Sequence, residues 1–320
     1  MDTSSLIRGV CPVLETPFED DGTIDVTGFR SVVEHVLDAG ASAVMYPGFA
    51  SEFHKLDDDE RQTLVAELLR VTRRRRDTAA IVAVQQHATV LAVRTARRAV
   101  DDGADAINLL PPHLFGPSRR DILDHVSAVL DAVAPTPVIL QYAPAQTGTA
   151  LDAPALLALR DDHPNLRFVK VEASLPGPLI EDLGSARRPL PALVGLAGLL
   201  LPDAVRRGAV GVQPGCSFTE LYADVWALYE AGRTDEADRL HARLLPYLAY
   251  WMQSVETIVA VEKLISHRRG WIVSPYCRNP GRTLDTAELA QVDRFLAEFG
   301  DRLAVRAPGL VGSPGREVGG

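Results

Sequence analysis

Residues 165–174 read Asn-Leu-Arg-Phe-Val-Lys-Val-Glu-Ala-Ser, and their side chains alternate as in a β-strand. Phe168, Lys170 and Glu172 fall on one face of this predicted strand, and the residues between them fall on the other. If helices cover the second face, the Lys170 amine points away from them, with a carboxylate two residues further along. A lysine that loses hydration inside a sheet is more easily deprotonated, and the neutral amine is a nucleophile. From this segment alone, an edge strand with a solvated Lys170–Glu172 pair is an equal alternative.

Composition excludes several classes of function. The 320 residues suit one large α/β barrel or two ordinary domains, and 47% hydrophobic content allows a sizeable core. A net charge of −9 argues against a nucleic-acid partner, which requires a basic surface. Cys11, Cys216 and Cys277 lie far apart, which argues against a disulfide framework or a metal knuckle. No signal peptide is visible and the apolar runs are too short to cross a membrane, so we expect a cytoplasmic protein.

Strand-like and helical patterns alternate from residue 9 onward. The predicted strands cover residues 9–16, 43–47, 78–85, 104–110, 137–142, 165–174, 192–196 and 209–213. Strands that are apolar on both faces suit a parallel sheet covered by helices. The number of strands favours a closed α/β fold, the (β/α)8 TIM barrel, over an open doubly wound sheet, and no G-x-G-x-x-G follows the first strand.

The pattern after Ser217 is entirely helical, over about 220–231, 234–243, 245–267 and 286–299. These helices exceed what a barrel needs. We therefore predict a (β/α)8 barrel over residues 1–218 and a C-terminal helical region over residues 219–306. Residues 307–320 are rich in Gly and Pro and are predicted to form a disordered tail.

Polar side chains cluster at the carboxyl ends of the predicted strands, where parallel barrels carry their chemistry. Besides Lys170 and Glu172 they include Glu15, Ser51, His87, His113, Gln141, Tyr142 and Gln213. A barrel has no free edge, so the edge-strand alternative for Lys170 weakens. His87 and His113 are equally compatible with core positions. No H-x-x-x-H or H-E-x-x-H spacing predicts a metal site, although a Glu15/His87/His113 cluster remains open.

Four motifs occur in a fixed order along the chain. They are Thr16-Pro17-Phe18 with Asp21-Gly22, Gly48-x-x-x-Glu52, Pro144-x-x-Thr147-Gly148, and Lys170 on the sixth strand. Together they resemble the dihydrodipicolinate synthase / N-acetylneuraminate lyase family of class I Schiff-base lyases, over about residues 9–304. The resemblance implies a barrel with helical C-terminal additions, a homotetramer or homodimer, and an imine between Lys170 and pyruvate or another 2-oxo acid. It implies no cofactor beyond this covalent imine.

The sequence departs from the usual pattern of this family around the lysine. The loop after strand two reads Gly48-Phe49-Ala50-Ser51-Glu52, where the family usually has Gly-Thr/Ser-Thr-Gly-Glu. The family's strand-five tyrosine falls on Gln141, with Tyr142 one place later, and the expected arginine is Gln146. The tyrosine that a neighbouring subunit lends falls on Leu114. This combination resembles a divergent branch that includes dehydratases of 2-keto-3-deoxy sugar acids.

Our leading hypothesis is a lyase in which neutral Lys170 adds to the ketone and the resulting iminium serves as an electron sink for aldolase-type bond making or breaking. Dehydration of a 2-keto-3-deoxy sugar acid through the same imine is one alternative, and a catalytically silent barrel that binds a small acid is another. Backbone N–H groups of the loop after strand two are expected to hold the substrate carboxylate. We assign catalytic roles to Lys170, Glu172, Tyr142 and Gln141, and substrate binding to Gly48, Phe49, Ala50, Ser51, Glu15, His87, His113 and Gln213.

Overall fold

The computed structural model describes residues 3–75, 77–148 and 151–303, and the predicted tail over 307–320 lies outside them. The strands are β1 (Gly9–Val10), β2 (Ala43–Tyr46), β3 (Ala79–Val84), β4 (Ala106–Leu109), β5 (Val138–Tyr142), β6 (Leu166–Val171), β7 (Ala192–Val194) and β8 (Gly211–Val212). All neighbours pair in parallel, in the order β1-β8-β7-β6-β5-β4-β3-β2. The predicted (β/α)8 TIM barrel is therefore confirmed.

A single parallel bridge between Val13 and Met45 closes the barrel between β1 and β2. The Leu14 N–H donates to the Met45 carbonyl at 2.9 Å, and the Met45 N–H donates to the Pro12 carbonyl at 2.9 Å. The first strand is shorter than predicted, because Pro12 supplies no N–H and the chain beyond Val10 pairs only at isolated positions. Closure leaves no unpaired edge beside Lys170.

The helices are α1 (Val26–Asp38), α2 (Asp58–Thr72), α3 (Thr89–Asp101), α4 (Arg119–Val133), α5 (Pro144–Thr147), α6 (Ala153–Asp162), α7 (Gly177–Ser185), α8 (Leu201–Arg206), α9 (Thr219–Glu230), α10 (Thr234–Trp251), α11 (Val255–Arg268) and α12 (Thr286–Leu303). Short 3-10 turns lie at Thr3–Leu6, Phe49–Ser51, Phe53–Lys55 and Leu196–Gly198. The spacing of the apolar residues in α1 shows how such a helix packs against the barrel. Phe29, Val32, Val33, Val36 and Leu37 lie on one face of the helix and are buried. Each such side chain contributes roughly 1.5–3 kcal/mol on burial.

The boundaries of two C-terminal helices differ from the prediction. One helix, α10, runs through Pro246 to Trp251, and the break comes at residues 252–254. The Ser254 side chain accepts the Thr257 N–H at 3.1 Å and caps the start of α11. This cap stabilises the start of α11 by about 1 kcal/mol. The position of the break between the two helices is therefore set by Ser254 and not by Pro246.

The helix α9 lies at the start of the region that was predicted to be a C-terminal extension from residue 219. It follows β8 and packs against β1, where the Trp226 ring lies beside Gly9. The helix α10 then begins at Thr234. Among the described residues, no helix is both long and apolar enough to cross a membrane.

The barrel interior changes from apolar to polar along the strands. Its apolar part includes Cys11, Val13, Ala43, Met45, Ala79, Ile81, Ala83, Ala106, Ile139, Phe168 and Leu193. Toward the carboxyl ends, the next inward positions are Asn108, Gln141 and Lys170, each at most 3% exposed. Since burial of polar groups is costly, this polar end is the part of the barrel that calls for a functional explanation.

Candidate active site

Lys170 lies on the inner face of β6, as the alternation of residues 165–174 predicted. Phe168 belongs to the barrel interior, whereas Val169 and Val171 pack against the surrounding helices. The Lys170 side chain is nearly buried, and its Nζ lies 3.4 Å from Glu172 Oε1. The amine and carboxylate therefore form a buried pair at the carboxyl end of the strand, and the solvated edge pair is excluded.

A chain of side-chain hydrogen bonds fixes Glu172. Gln141 Nε2 donates to Glu172 Oε2 at 2.6 Å, and Asn108 Nδ2 donates to Gln141 Oε1 at 2.9 Å. A carboxylate only accepts, so Gln141 must turn its NH2 group toward Glu172, and its carbonyl oxygen then faces Asn108. The arrangement leaves Glu172 Oε1 directed at the amine. All three groups are buried, which strengthens these contacts electrostatically.

Gly195, immediately after β7, makes room for this carboxylate. A Cβ at this position would lie 2.2 Å from Glu172 Cγ and 2.8 Å from Glu172 Oε1. No side chain fits there without displacing Glu172 from its place beside Lys170.

The sequence contains three lysines, all within the described residues, and the other two hold Glu52. Lys55 Nζ lies 3.0 Å from Glu52 Oε2, and Lys263 donates to Glu52 Oε1 and, at 2.9 Å, to the Tyr276 carbonyl. Glu52 is buried and adopts a left-handed backbone conformation with φ of 53°. This carboxylate therefore has a structural role, and Lys170 is the amine available for chemistry.

The loop after β2 forms a 3-10 turn over Phe49–Ser51. Its first internal hydrogen bond is donated by the Ser51 N–H to the Gly48 carbonyl at 3.0 Å, so the N–H groups of Phe49 and Ala50 lie at the open end of the turn. Ser51 Oγ accepts the Gly48 N–H at 2.8 Å and donates to the Leu14 carbonyl, so this hydroxyl is already engaged. A side chain on Gly48 would meet Val13 at 2.6 Å, which explains a glycine at this close approach.

A cavity of about 70 Å³ lies against Lys170 and Glu172. Its other walls include Phe49, Ala50, Gln146, Leu196, Gln213, Gly215, Met252, Val255 and Ile258. This volume is far below the 300–1,000 Å³ typical of drug-sized ligands, so the cavity suits a small molecule. The side-chain amide of Gln213 is buried without a hydrogen-bond partner among the described residues, which leaves it available to a ligand.

Two predicted site residues point elsewhere. Tyr142 pairs with Val171, and both pack on the outer, helix-facing side of the sheet, because neighbouring residues in a strand face opposite sides. Burial raises the Tyr142 pKa. Glu15 is buried beside Cys216 and Glu262 and is not among the residues that line the cavity.

His87 and His113 lie close to each other but not to Lys170. The His113 N–H donates to His87 Nδ1 at 3.3 Å, and the two rings meet edge to face with centroids 6.1 Å apart. Neither histidine lines the cavity around Lys170. The open Glu15/His87/His113 alternative also fails, because the metal-compatible group found among the described residues joins Glu15 to Cys216 and Glu262 instead.

Sequence reasoning missed Asn108 and the walls from the C-terminal extension. Asn108 interrupts the apolar β4, in phase with the inward-facing Ala106, and this lone polar residue was the signal that could have revealed it. Met252, Val255 and Ile258 belong to the α10–α11 region. Their spacing is ordinary for a core helix, so no sequence pattern distinguishes them.

Comparisons with known proteins agree with this geometry. The model of the dihydrodipicolinate synthetase family matches residues 6–299. An L-2-keto-3-deoxyarabonate dehydratase from Azospirillum brasilense is 28% identical over 308 residues, covering 90% of this chain and 94% of the relative. A 4-hydroxy-tetrahydrodipicolinate synthase from Salinibacter ruber is 30% identical over 311 residues, covering 94% of this chain and 97% of the relative.

The same family appears among solved structures. The crystal structure of dihydrodipicolinate synthase from Rhodopseudomonas palustris superposes with a TM-score of 0.82 at 26% identity, covering 91% of this chain and 97% of that one. The match extends over both the barrel and the C-terminal helices that close the cavity. The chain belongs to the dihydrodipicolinate synthetase family of Schiff-base lyases, as its ordered motifs predicted.

Proposed function

We propose that this protein is a lyase that forms an imine between Lys170 and pyruvate or another 2-oxo acid. The observation that carries this proposal is the Lys170 Nζ, which is buried at a small cavity and lies 3.4 Å from the Glu172 carboxylate. The amine adds to the ketone and water leaves, which gives an iminium that accepts electrons from the adjacent carbon. This chemistry needs no cofactor other than the covalent imine.

The open end of the turn after β2 supports binding of the substrate carboxylate. The N–H groups of Phe49 and Ala50 provide two backbone donors at the cavity wall, and Gln213 provides a side-chain amide. Hydroxyl groups are not needed for this contact, so the departures from the family's usual loop sequence do not prevent it. The Gly48 N–H is bonded to Ser51, and we therefore assign the contact to Phe49 and Ala50.

We assign proton transfer at the substrate's C3 to Glu172. Its Oε1 faces Lys170, while its Oε2 accepts a hydrogen bond from Gln141. The carboxylate is therefore fixed beside C3, the carbon bonded to the imine carbon. Removal of a C3 proton converts the iminium to an enamine. Gln141 stands where the family has a tyrosine, and we assign it the task of positioning Glu172.

The enamine leads to two reactions. In the leading reaction, C3 of the enamine attacks an aldehyde and forms a carbon–carbon bond. In the reverse direction, the C3–C4 bond of the iminium breaks, the C4 hydroxyl gives up its proton to become an aldehyde, and the enamine remains. In the second candidate, it expels the hydroxyl on C4 of a 2-keto-3-deoxy sugar acid, and hydrolysis then releases a dehydrated 2-oxo acid. The dehydratase from Azospirillum brasilense, which covers 90% of this chain, favours keeping this second reaction.

Trapping with borohydride tests the proposal. Incubation with pyruvate and borohydride should add one reduced pyruvate to the peptide that contains Lys170. A Lys170→Ala variant should remain unmodified, whereas a Lys55→Ala variant should be modified as fully as the wild type. An unmodified Lys170 with every 2-oxo acid of a panel would refute the lyase and favour the silent small-acid binder. Mass analysis of products from 2-keto-3-deoxyarabonate separates the two reactions, since bond cleavage releases pyruvate and dehydration releases an acid lighter by one water.

We also propose that the protein is a homodimer or a homotetramer and that it works in the cytoplasm. Exposed apolar side chains in the first turn of α3 and in the β4–α4 loop support the assembly. Val90, Leu114 and Phe115 are 66%, 54% and 103% exposed, and the contact between His113 and His87 joins the two loops. A monomer cannot bury these side chains, whereas a second copy can. Three free cysteines fit a reducing compartment.

A further inference from the structure

Three side chains that can bind metal meet outside the catalytic cavity. One carboxylate oxygen from each of Glu15 and Glu262 and the Cys216 Sγ lie within 4.8 Å of one another. Glu15 follows β1, Cys216 lies in the β8–α9 loop, and Glu262 lies in α11. Each residue is at most 2% exposed. The cluster therefore joins the beginning of the barrel, its end and the C-terminal extension.

The cluster contains oxygen atoms that lack partners. Among the described residues, neither carboxylate oxygen of Glu15 nor Glu262 Oε1 accepts a well-formed hydrogen bond, although the Ser266 hydroxyl lies close to Glu15 and partly offsets the effect of burial on its pKa. Glu262 Oε2 accepts the Ser217 N–H at 2.7 Å, and the Glu15 N–H is directed at Cys216 Sγ at 3.4 Å. A buried carboxylate without a partner costs several kcal/mol. Folded proteins satisfy such groups with a protein donor, a water, a proton or an ion.

The neighbouring cations are already engaged. Lys263 donates to Glu52 and Tyr276, and its ammonium lies 4.2 Å from the centre of the Phe18 ring. Arg269 is bonded to Glu220 and to backbone carbonyls. Both cations act on the cluster only at longer range, so the charge on Glu15 and Glu262 requires another source of compensation.

We propose that Glu15, Cys216 and Glu262 bind one Zn²⁺ in a structural site. A thiolate and two carboxylates are ligands that Zn²⁺ accepts, at about 2.3 Å for sulfur and about 2.0–2.2 Å for oxygen, whereas Mg²⁺ and Ca²⁺ prefer oxygen alone. Donors on a tetrahedral ion with these bond lengths are roughly 3.5 Å apart, so the cluster needs to contract by about 1 Å. The buried Ser266 hydroxyl, which lies beside Glu15, provides a fourth donor.

The site would stiffen one wall of the catalytic cavity. Gly215, beside Cys216, lines the cavity, and a Cβ on Gly215 would lie 2.2 Å from Glu262 Oε1. Glu262 therefore rests directly against the backbone that carries Gln213. An ion held by Glu262 and Cys216 would tie this loop to α11 without contacting the substrate, so its effect is on stability and not on the imine chemistry.

Protons are the competing source of compensation. Burial raises the pKa of Glu15 to about 7 and also raises the pKa of Glu262. Metal binding would displace those protons, because the ligands must be deprotonated. The two outcomes are distinguishable, because bound Zn²⁺ can be counted per chain by mass spectrometry and bound Co²⁺ gives an absorption band. Bound protons give neither signal.

The test measures the metal directly. We expect the full-length protein, refolded with Zn²⁺ and dialysed, to retain about one Zn²⁺ per chain by mass spectrometry. Its melting temperature should exceed that of the chelator-treated protein by on the order of 5 °C, since a ligand at about 100 times its dissociation constant stabilises a chain of this size by that amount. Refolding with Co²⁺ should give a thiolate-to-cobalt absorption band.

Variants identify the ligands. Cys216→Ser should abolish the cobalt band, and Glu262→Gln should weaken metal binding at least 100-fold. Cys11→Ser is the matched control, because Cys11 is equally buried but lies inside the barrel, where it donates to the Arg8 carbonyl, and the band should persist. Less than about 0.1 Zn²⁺ per wild-type chain, with no change in melting temperature, would overturn the proposal. The cluster would then hold protons alone, and the melting temperature would fall as the pH rises from about 4.5 to about 7 in the wild type but not in Glu15→Gln.

Discussion

Replacing Glu172 with glutamine should separate imine formation from proton transfer. The substituted amide keeps an oxygen for the Gln141 donor but cannot take a proton from carbon. In the imine, C3 lies two bonds from Nζ, or about 2.5 Å, because the C–N and C–C bonds measure about 1.3 and 1.5 Å. Glu172 Oε1 is 3.4 Å from the same nitrogen, so a C3 proton lies within its reach. A positioned base contributes about 10²–10⁴ in rate, equal to about 3–5 kcal/mol of activation free energy.

Exchange of the pyruvate methyl protons with deuterium measures this step alone. Wild-type protein in D2O should catalyse exchange that NMR detects without an aldehyde or a second product. We expect Glu172→Gln to slow exchange by 10²–10⁴ while borohydride still traps pyruvate on Lys170. Lys170→Ala should lose both signals, and Lys55→Ala should keep both. Exchange at the wild-type rate in Glu172→Gln would refute the assignment of Glu172 as the base.

Four further substitutions test the surroundings of the site and the fold. Gly195→Ala should displace Glu172 and reduce exchange at least tenfold with trapping retained, as NMR and mass analysis would show; wild-type exchange would contradict the close approach. Asn108→Ala leaves the buried Gln141 oxygen without its donor and should cost about 1–3 kcal/mol in denaturant unfolding. The Arg70 hydrogen bond, with Arg30, lowers the Glu67 pKa to about 2 from its ordinary 4.5, so Glu67 stabilises the fold above that ordinary value. Glu67→Gln should therefore cost about 1–2 kcal/mol at pH 7, after discounting for the half-exposed arginines, and the difference should vanish as the pH falls from about 4.5 to 2. Phe115→Ser should raise the subunit dissociation constant at least tenfold by light scattering, and an unchanged assembly would exclude this surface.

The barrel was predictable because it follows from local rules. Two-residue alternation placed Lys170 inside and Val169 outside, and eight buried strands implied closure. Short elements were harder to predict. The helices α6 and α7, 10 and 9 residues long, were not foreseen individually, because each has few turns in which to display a period.

The site was predictable only where a residue belongs to a strand. Glu172 and Gln141 follow from the phase of β6 and β5, and the same phase excludes Tyr142, which takes the opposite face. His87 and His113 lie in loops, and Glu15 lies beyond the end of β1, which is shorter than predicted. Strand alternation therefore could not say which of these residues approach Lys170. The hydrophobic walls from the C-terminal extension depend on how α10 and α11 pack over the barrel, which no local pattern encodes.

The amide chain that fixes Glu172 also limits how protons reach the substrate. Asn108 donates to Gln141, and Gln141 donates to Glu172. A hydroxyl group can pass a proton along by accepting one and releasing another, but these amides keep their N–H protons and cannot relay a proton. The proton that leaves C3 therefore stays on Glu172 until it returns or escapes through the cavity. Removal and return then occur on one face of the enamine, so a lyase of this design should exchange a single one of the two C3 protons of a 2-keto-3-deoxy acid. Equal exchange of both protons, observed by NMR in D2O, would require a second acid–base group. The hydrogen-bonded series of Asn108, Gln141 and Glu172 contains none besides Glu172.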